Sequence, residues 1–242
     1  MTRSSQHAIH VPMSQITDAV VFDAYGTLLD VHAAMARHSS RLGDNWLAIS
    51  ADWRQKQLEY SWICSLAGPR HHRDFWGLTQ DALVWAAAKH GITDPYVLAD
   101  VLTAYRQLDP YKEAPDVLRR IRGADRRTAI LSNGEPGMLA GAVRSSRLHD
   151  LLDHVLSIEA VRVFKPDPRV YQLAVRAFGL PAHRIAFVSS NAWDAFGAHA
   201  YGSRVFWINR ARTPPDYDLA QIATELPDLA ALPDALGMSA PS

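Results

Sequence analysis

The sequence has 242 residues, 48% of them hydrophobic, and its 25 basic residues balance its 25 acidic ones. A chain of this size buries a substantial core and suits one large domain or a core domain with a smaller inserted one. With no net charge there is no field to attract a polyanion, so no nucleic-acid partner is expected. The longest apolar stretches fall short of about 18 residues, so no membrane association through a spanning helix is expected.

Cys64 is the only cysteine in the sequence. A single thiol excludes an internal disulfide framework and is typical of a reducing compartment, which predicts a cytoplasmic location. Residues 1–15 are polar, rich in Ser and His, and lack the apolar core of a signal peptide. We therefore expect a disordered N-terminal extension over residues 1–15.

The first predicted element is a strand and its following turn, within residues 17–30. The apolar, β-branched run before Asp23 is typical of a strand buried on both faces, and Gly26 and Thr27 then break it. Asp23 therefore lies at the strand's carboxyl end, the edge at which open α/β sheets bind ligands. A buried carboxylate is costly unless it is paired or used. The alternative is an Asp that caps the turn, and the local sequence alone does not separate the two readings.

Helices are predicted from residue 31 to residue 110. Residues 51–66 place Arg54, Leu58 and Trp62 on one helical face, and an amphipathic helix at residues 78–89 ends before Gly91. A third helix is expected at residues 95–107. We interpret residues 31–110 as a helical cap inserted after the first strand.

Helices and strands then alternate. Helices are predicted at residues 115–122, 136–148 and 168–178, and strands at residues 128–131, 154–157, 185–188 and 204–208. This alternation predicts a parallel sheet with right-handed crossovers. The expected fold is therefore α/β, with a Rossmann-like parallel sheet core (residues 16–30 and 111–235) and the inserted helical cap domain. A short packing helix is expected after Thr213.

Three of the predicted strands end in polar clusters, at residues 23–27, 132–134 and 189–194. The carboxyl ends of parallel strands share one edge of a sheet, so the three clusters are expected to converge into an active site. For residues 132–134 alone an ordinary strand-to-helix turn with an N-cap is the simpler reading. The presence of Asp23 at the same edge favours the active site.

The sequence Asp-Ala-Tyr-Gly-Thr-Leu at residues 23–28 resembles the nucleophile motif of the haloacid dehalogenase (HAD) superfamily, in the form found in L-2-haloacid dehalogenases. The phosphatases of the superfamily carry a second Asp two residues after the nucleophile, where this chain has Tyr25. A phosphatase needs that acid to protonate its leaving group. Halide leaves without a proton, so Tyr25 is compatible with dehalogenation.

The second and third motifs of the superfamily are also recognisable. The resemblance implies that Ser132 and backbone amides hold the substrate's anionic group and that Asn133 helps to bind the halide. The sequence Phe-Lys-Pro-Asp-Pro at residues 164–168 resembles the third motif, whose lysine pairs with the nucleophile. A loop lysine is usually solvated, but Lys165 lies in a proline-rich setting that fixes its stem. Tyr171 matches a substrate-site tyrosine of the dehalogenases.

Residues 189–194 resemble the fourth motif, in which Ser189, Asn191 and Asp194 would position and activate water. Magnesium phosphatases usually have paired acids here, whereas this chain keeps only Asp194. Because Mg²⁺ prefers several hard oxygen ligands, we predict no metal site and no cofactor.

The cap contributes residues 53–60, which resemble the dehalogenase segment whose arginine anchors the halide. A helical arginine is most often a surface residue, but Arg54 offers a permanently charged group with several donors, which suits a developing anion. Leu58, Phe75 and Trp193 are expected to line the apolar side of the site.

The resemblance implies hydrolysis of short L-2-haloacids to D-2-hydroxy acids through an ester on the catalytic aspartate, with inversion at C2. The substrate carboxylate would be held by Ser132, by amides near Ala24 and Tyr25, and by Thr27. Three alternatives remain open: a related hydrolase that opens a strained ring acid of the azetidine-2-carboxylate type, a HAD phosphatase, and a non-catalytic binding protein. Dimers are frequent in the family, so a homodimer is one expectation.

Overall fold

A computed structural model describes residues 17–238, so the extension predicted for residues 1–15 lies outside the described residues. Six strands form one parallel sheet in the order β3-β2-β1-β4-β5-β6. Their bounds are Ala19–Phe22 (β1), Arg127–Ser132 (β2), His154–Ser157 (β3), Ile185–Ser189 (β4), Arg204–Ile208 (β5) and Thr224–Leu226 (β6). β1 lies between β2 and β4, so the strand that leads to Asp23 is central. The predicted α/β class is confirmed.

Eleven α-helices occur within residues 17–238. Their bounds are Ala33–Ala36 (α1), Ser39–Leu42 (α2), Trp46–Ala67 (α3), Phe75–Lys89 (α4), Pro95–Tyr105 (α5), Ala114–Gly123 (α6), Pro136–Ser145 (α7), Pro168–Phe178 (α8), Ala192–Ala200 (α9), Leu219–Ile222 (α10) and Leu232–Ala235 (α11). None of these helices combines the length and the apolar character that a bilayer span requires.

Helices α1 to α5 occupy the stretch between β1 and the rest of the core. α3 starts at Trp46, five residues before the helix that the sequence predicted, because Ile49 and Ser50 continue its buried face. The indole of Trp53 on α3 donates a hydrogen bond of 2.8 Å to the carbonyl of Thr79 on α4. This contact joins the two longest helices between residues 33 and 105 and fixes the face of α3 that carries Arg54.

The short helices α1, α2 and α11 were not predicted individually, and neither were α9 and β6. α9 begins within the fourth motif, at Ala192, and its run of small residues gave no clear helical period. β6 has only three residues, two of them exposed, and pairs at the sheet edge, where a strand needs no buried apolar pattern. The packing helix expected after Thr213 corresponds to α10.

Candidate active site

Asp23 lies at the carboxyl end of β1 with only 5% of its surface exposed. Its Oδ1 accepts a hydrogen bond of 3.0 Å from Nζ of Lys165, and its Oδ2 accepts bonds of 2.8 Å from Nδ2 of Asn191 and 3.3 Å from Oγ1 of Thr27. All three partners donate, so both oxygens of a carboxylate are oriented at the sheet edge. The site therefore holds a fixed anionic oxygen in a nearly dry environment.

Lys165 lies between two carboxylates. Its Nζ is 3.0 Å from Oδ1 of Asp23 and 2.9 Å from Oδ2 of Asp194, and its side chain is 1% exposed. Burial on its own lowers the pKa of Lys165, but the charges of Asp194 and Asp23 outweigh it and hold that pKa above its ordinary value. The backbone N–H of Lys165 donates to Oδ1 of Asn133 at 3.0 Å, which anchors the loop. The structure thus brings the predicted lysine and aspartate together as a buried ion pair.

Asp194 is completely buried in α9 and accepts three side-chain hydrogen bonds. Oδ2 accepts from Lys165 and, at 3.0 Å, from Oγ of Ser189, and Oδ1 accepts from the hydroxyl of Tyr171 at 2.8 Å. Burial raises the pKa of Asp194, opposed by Lys165 and reinforced by the charge of Asp23. Burial also raises the pKa of Tyr171 well above its usual value, so its hydroxyl stays protonated and donates. The result is a carboxylate of increased basicity with a fixed orientation.

The turn after Asp23 is closed by contacts with the β4 end. Gly26 has a φ of +89°, a region that favours glycine. The N–H of Ser190 donates to Oγ1 of Thr27 at 2.9 Å, and its hydroxyl donates to the carbonyl of Gly26 at 2.6 Å. Thr27 therefore links Asp23 to β4, while Ala24 and Tyr25 follow the carboxylate directly in the turn.

The second predicted motif packs against this turn. Ser132 and Asn133 are buried at the end of β2, and Oγ of Ser132 accepts the N–H of Gly134 at 3.1 Å. A Cβ at Gly134 would lie 2.9 Å from Cε2 of Tyr25, so only glycine permits this approach. The three strand-end clusters therefore converge as the sequence predicted.

Tyr25 forms an aromatic wall. Its ring stacks on Tyr105 with centroids 5.6 Å apart and is tilted against Phe75 at 6.3 Å. Burial raises its pKa well above the usual value, so the residue is neutral and cannot supply a proton readily. This property distinguishes the site from one with a second carboxylic acid at the same position.

Arg54 extends from α3 to the turn. Its Nη1 donates to Oε1 of Gln57 at 2.6 Å and its Nη2 lies 3.5 Å from the carbonyl of Tyr25. Nε2 of Gln57 in turn donates to Oγ1 of Thr79 at 2.7 Å. The guanidinium is half-buried, and the Gln57–Thr79 contact orients it. A fixed cation from the cap thus lies beside the residues that follow Asp23.

The remaining predicted apolar residues surround the same region. Phe75 is fully buried against Tyr25, and Leu58 is buried on α3 one turn after Arg54. Trp193 packs edge-on against Trp62 at 5.4 Å. Trp62, Trp193 and Lys165 also line a groove of about 540 Å³ between α3 and the core. Nothing in these contacts tests the predicted roles of Leu58, Phe75 and Trp193 in binding, which stay predictions.

Two residues of the site were missed from the sequence. Gln57 lies three positions after Arg54, a spacing that places two side chains side by side on a helix. Ser190 lies inside the fourth motif and contacts the Asp23 turn through both its amide and its hydroxyl. The helical spacing from Arg54 could have indicated Gln57, and the position at the end of β4 could have indicated Ser190.

No group of three His, Cys, Asp or Glu side chains is arranged to hold a metal ion among residues 17–238. The two acids of the site, Asp23 and Asp194, instead share the ammonium of Lys165. Chemically, the arrangement combines an oriented carboxylate nucleophile, a second carboxylate that can take a proton, and a cation that offsets part of their charge.

Residues 17–202 match the family model of haloacid dehalogenase-like hydrolases. The chain is 42% identical over 215 residues to (S)-2-haloacid dehalogenase 4A of Burkholderia cepacia, covering 88% of this chain and 92% of that protein. A dehalogenase solved with an intermediate complex superposes with a TM-score of 0.89 at 39% identity, over 92% of this chain and 98% of that one. The L-2-haloacid dehalogenase of Xanthobacter autotrophicus, solved with chloropropionic acid covalently bound, gives a TM-score of 0.83 at 34% identity, over 93% and 100% of the two chains.

These similarities extend over the sheet, the cap helices and the four motifs described above, and they confirm the resemblance inferred from residues 23–28. The chain belongs to the haloacid dehalogenase-like hydrolases and, within them, to the family of the (S)-2-haloacid dehalogenases.

Proposed function

We propose that this protein hydrolyses short (S)-2-haloalkanoic acids to the 2-hydroxy acids of opposite configuration. The observation that carries the proposal is the ion pair of Asp23 with Lys165, next to a neutral, buried Tyr25 where a phosphatase would need an acid. Such a site supplies a nucleophile without protonating the leaving group, and halide is a leaving group that needs no proton.

In the first step a carboxylate oxygen of Asp23 forms a bond to C2 from the side opposite the halogen. The carbon–halogen bond breaks, and its electron pair leaves with the halide, so C2 is inverted. Arg54 and Asn133 receive the developing anion, while Ser132 and the amides of the turn hold the substrate carboxylate. The covalently bound chloropropionic acid of the Xanthobacter autotrophicus enzyme supports this step by analogy.

In the second step water attacks the carboxyl carbon of the Asp23 ester. Asp194, whose pKa is raised by burial, takes a proton from that water, and Ser189 and Asn191 orient it. The bond between that carboxyl carbon and the ester oxygen attached to C2 breaks, the released alkoxide takes the proton from Asp194, and Asp23 is restored as a carboxylate with release of one proton to solvent. Tyr171 is proposed to act through Asp194, since its hydroxyl already donates to that carboxylate.

The proposal includes a cytoplasmic location, since a single cysteine is typical of a reducing compartment. It includes a metal-independent reaction, because both acids of the site already pair with the ammonium of Lys165. The homodimer stays a prediction.

The first test is halide release from L-2-chloropropionate. We expect stoichiometric chloride and D-lactate, no turnover of the D-enantiomer by the same route, and full activity in EDTA. Azetidine-2-carboxylate and p-nitrophenyl phosphate serve as competing substrates. Turnover of either in place of the haloacid would contradict the proposed reaction, and loss of activity in EDTA with recovery in Mg²⁺ would contradict its metal independence.

A further inference from the structure

A charged residue that the proposed reaction does not use contacts the turn that follows Asp23. β5 ends at Ile208 on the same sheet edge as Asp23, and Arg210 follows two residues later. Its Nη1 donates to the carbonyl of Gly26 and its Nη2 to the carbonyl of Thr27, both at 3.1 Å. One guanidinium therefore holds two successive carbonyls of the turn that carries the nucleophile.

The guanidinium of Arg210 is itself fixed on two other sides. Its Nη2 is 3.0 Å from Oε1 of Glu113, and its Cζ lies 3.6 Å above the ring of Tyr111. The side chain is 23% exposed. A planar fork with an ion-pair partner and a stacked ring has little freedom to reorient, unlike a lysine ammonium. The guanidinium of Arg210 therefore has a fixed position and orientation.

Arg210 contacts the two residues of the turn, Gly26 and Thr27, whose backbone orientation affects Asp23. Gly26 adopts a φ of +89°, and glycine has more backbone freedom than any other residue. Thr27, the next residue, donates its hydroxyl to Oδ2 of Asp23. A change in the peptide orientation at residues 26–27 would therefore move the group that orients the nucleophile.

We infer that Arg210 is a positioning residue that keeps the Gly26–Thr27 peptides in the orientation needed for attack by Asp23. Arg210 acts through Thr27, while Glu113 and Tyr111 keep its guanidinium in place. This inference rests on the proposed dehalogenation. It predicts a larger effect on the chemical step than on substrate binding, because the hydrogen bonds of Arg210 go to the carbonyls of Gly26 and Thr27 and to Glu113, not to the side chains of Ser132, Asn133 or Arg54.

The test compares Arg210→Met, which keeps the length of the stem, with Arg210→Lys, which keeps the charge but cannot span both carbonyls. Arg176→Met is the matched control, because this exposed guanidinium bonds Gln172 on its own helix. We expect kcat to fall by about 10- to 100-fold in Arg210→Met, the loss typical of a small misplacement of reacting groups, with KM changed by less than about threefold, since Arg210 makes no hydrogen bond to the side chains of Ser132, Asn133 or Arg54. Arg210→Lys should retain an intermediate kcat, and Arg176→Met should match wild type.

Single-turnover measurements with enzyme in excess separate the possible failures. Mass spectrometry should show slower formation of the Asp23 ester in both Arg210 variants at a temperature where circular dichroism shows them folded. Wild-type rates of ester formation would overturn the inference, as would a fall in kcat that only follows unfolding. If Arg210→Met does not fold, the rate in Arg210→Lys decides. Absence of chloride release from the wild-type enzyme would instead contradict the proposed function itself.

Discussion

Replacing Lys165 with Met is expected to lower kcat/KM by about 10²- to 10³-fold, the range found when one preorganised electrostatic group is removed. The side chain is completely buried and contacts both Asp23 and Asp194. Without its charge the two acids are left in one dry site without a cation, which favours the protonated form of Asp194. A protonated Asp194 cannot take a proton from water.

The pH dependence of kcat/KM and of stability should change in a defined direction in Lys165→Met. The ammonium of Lys165 lowers the pKa of Asp194 against the effect of burial, so its loss raises that pKa and the acidic limb of kcat/KM should move to higher pH in Lys165→Met. Folding raises the pKa of Lys165 above its ordinary 10.5, so its pairing stabilises the wild-type fold below that pH, and the stabilisation is lost only as the pH rises through the folded pKa. At pH 7 the variant should therefore be less stable, by about 3–5 kcal/mol for removal of one partner of a buried pair.

Kinetics from pH 5 to 10 and urea unfolding at pH 7 check both parts. Lys89→Met is the matched control, since this half-exposed lysine pairs with Asp52 on the cap surface. An unchanged acidic limb, in a folded variant, would show that Lys165 does not set the charge state of the two acids.

Replacing Arg54 with Ala is expected to lower kcat by about 10²- to 10³-fold, because a donor to the developing halide is lost. The cap should stay folded, since Trp53 and Gln57 still join α3 to α4 through Thr79. Steady-state rates with 2-bromo and 2-chloro acids measure the loss. The decrease in kcat should be larger for the 2-chloro acid, because chloride is the poorer leaving group.

Arg54→Lys should recover little of this activity, because an ammonium does not replace the planar fork that reaches both Gln57 and the carbonyl of Tyr25. Lys56→Ala on the same helix is the control, as its ammonium pairs with Glu59 and lies over the Trp85 ring. Rates near wild type in a folded Arg54→Ala enzyme would mean that another group receives the halide.

The residues at the sheet edge were the part of the site that the sequence predicted best. β-branched runs that stop at polar residues mark the ends of β1, β2 and β4, and parallel topology then requires Asp23, Asn133 and Ser189 to meet. The same rule applied to β5 points to Arg210, which follows the strand end by two residues. That residue was missed because it lies outside the motifs of the resemblance.

Contacts between residues far apart in the sequence were harder to predict. The bond of Tyr171 to Asp194 depends on how α8 packs beside α9, and α9 itself was not predicted. Likewise, the helical spacing places Gln57 beside Arg54, but no local pattern indicates that Gln57 also bonds Thr79, 22 residues away. Such contacts depend on tertiary packing, which periodicity and propensity do not encode.

The central claim is that Asp23 supplies the oxygen of the product hydroxyl, and one turnover in ¹⁸O-water with enzyme in excess tests it most directly. Ester hydrolysis at the carboxyl carbon predicts that ¹⁸O enters a carboxylate oxygen of Asp23 and that the first hydroxy acid is unlabelled. Mass spectrometry of the peptide that contains Asp23, together with that of the product, reads both positions. A labelled hydroxyl in the first turnover, with Asp23 unlabelled, would show that water attacks C2 directly and that Asp23 is not the nucleophile.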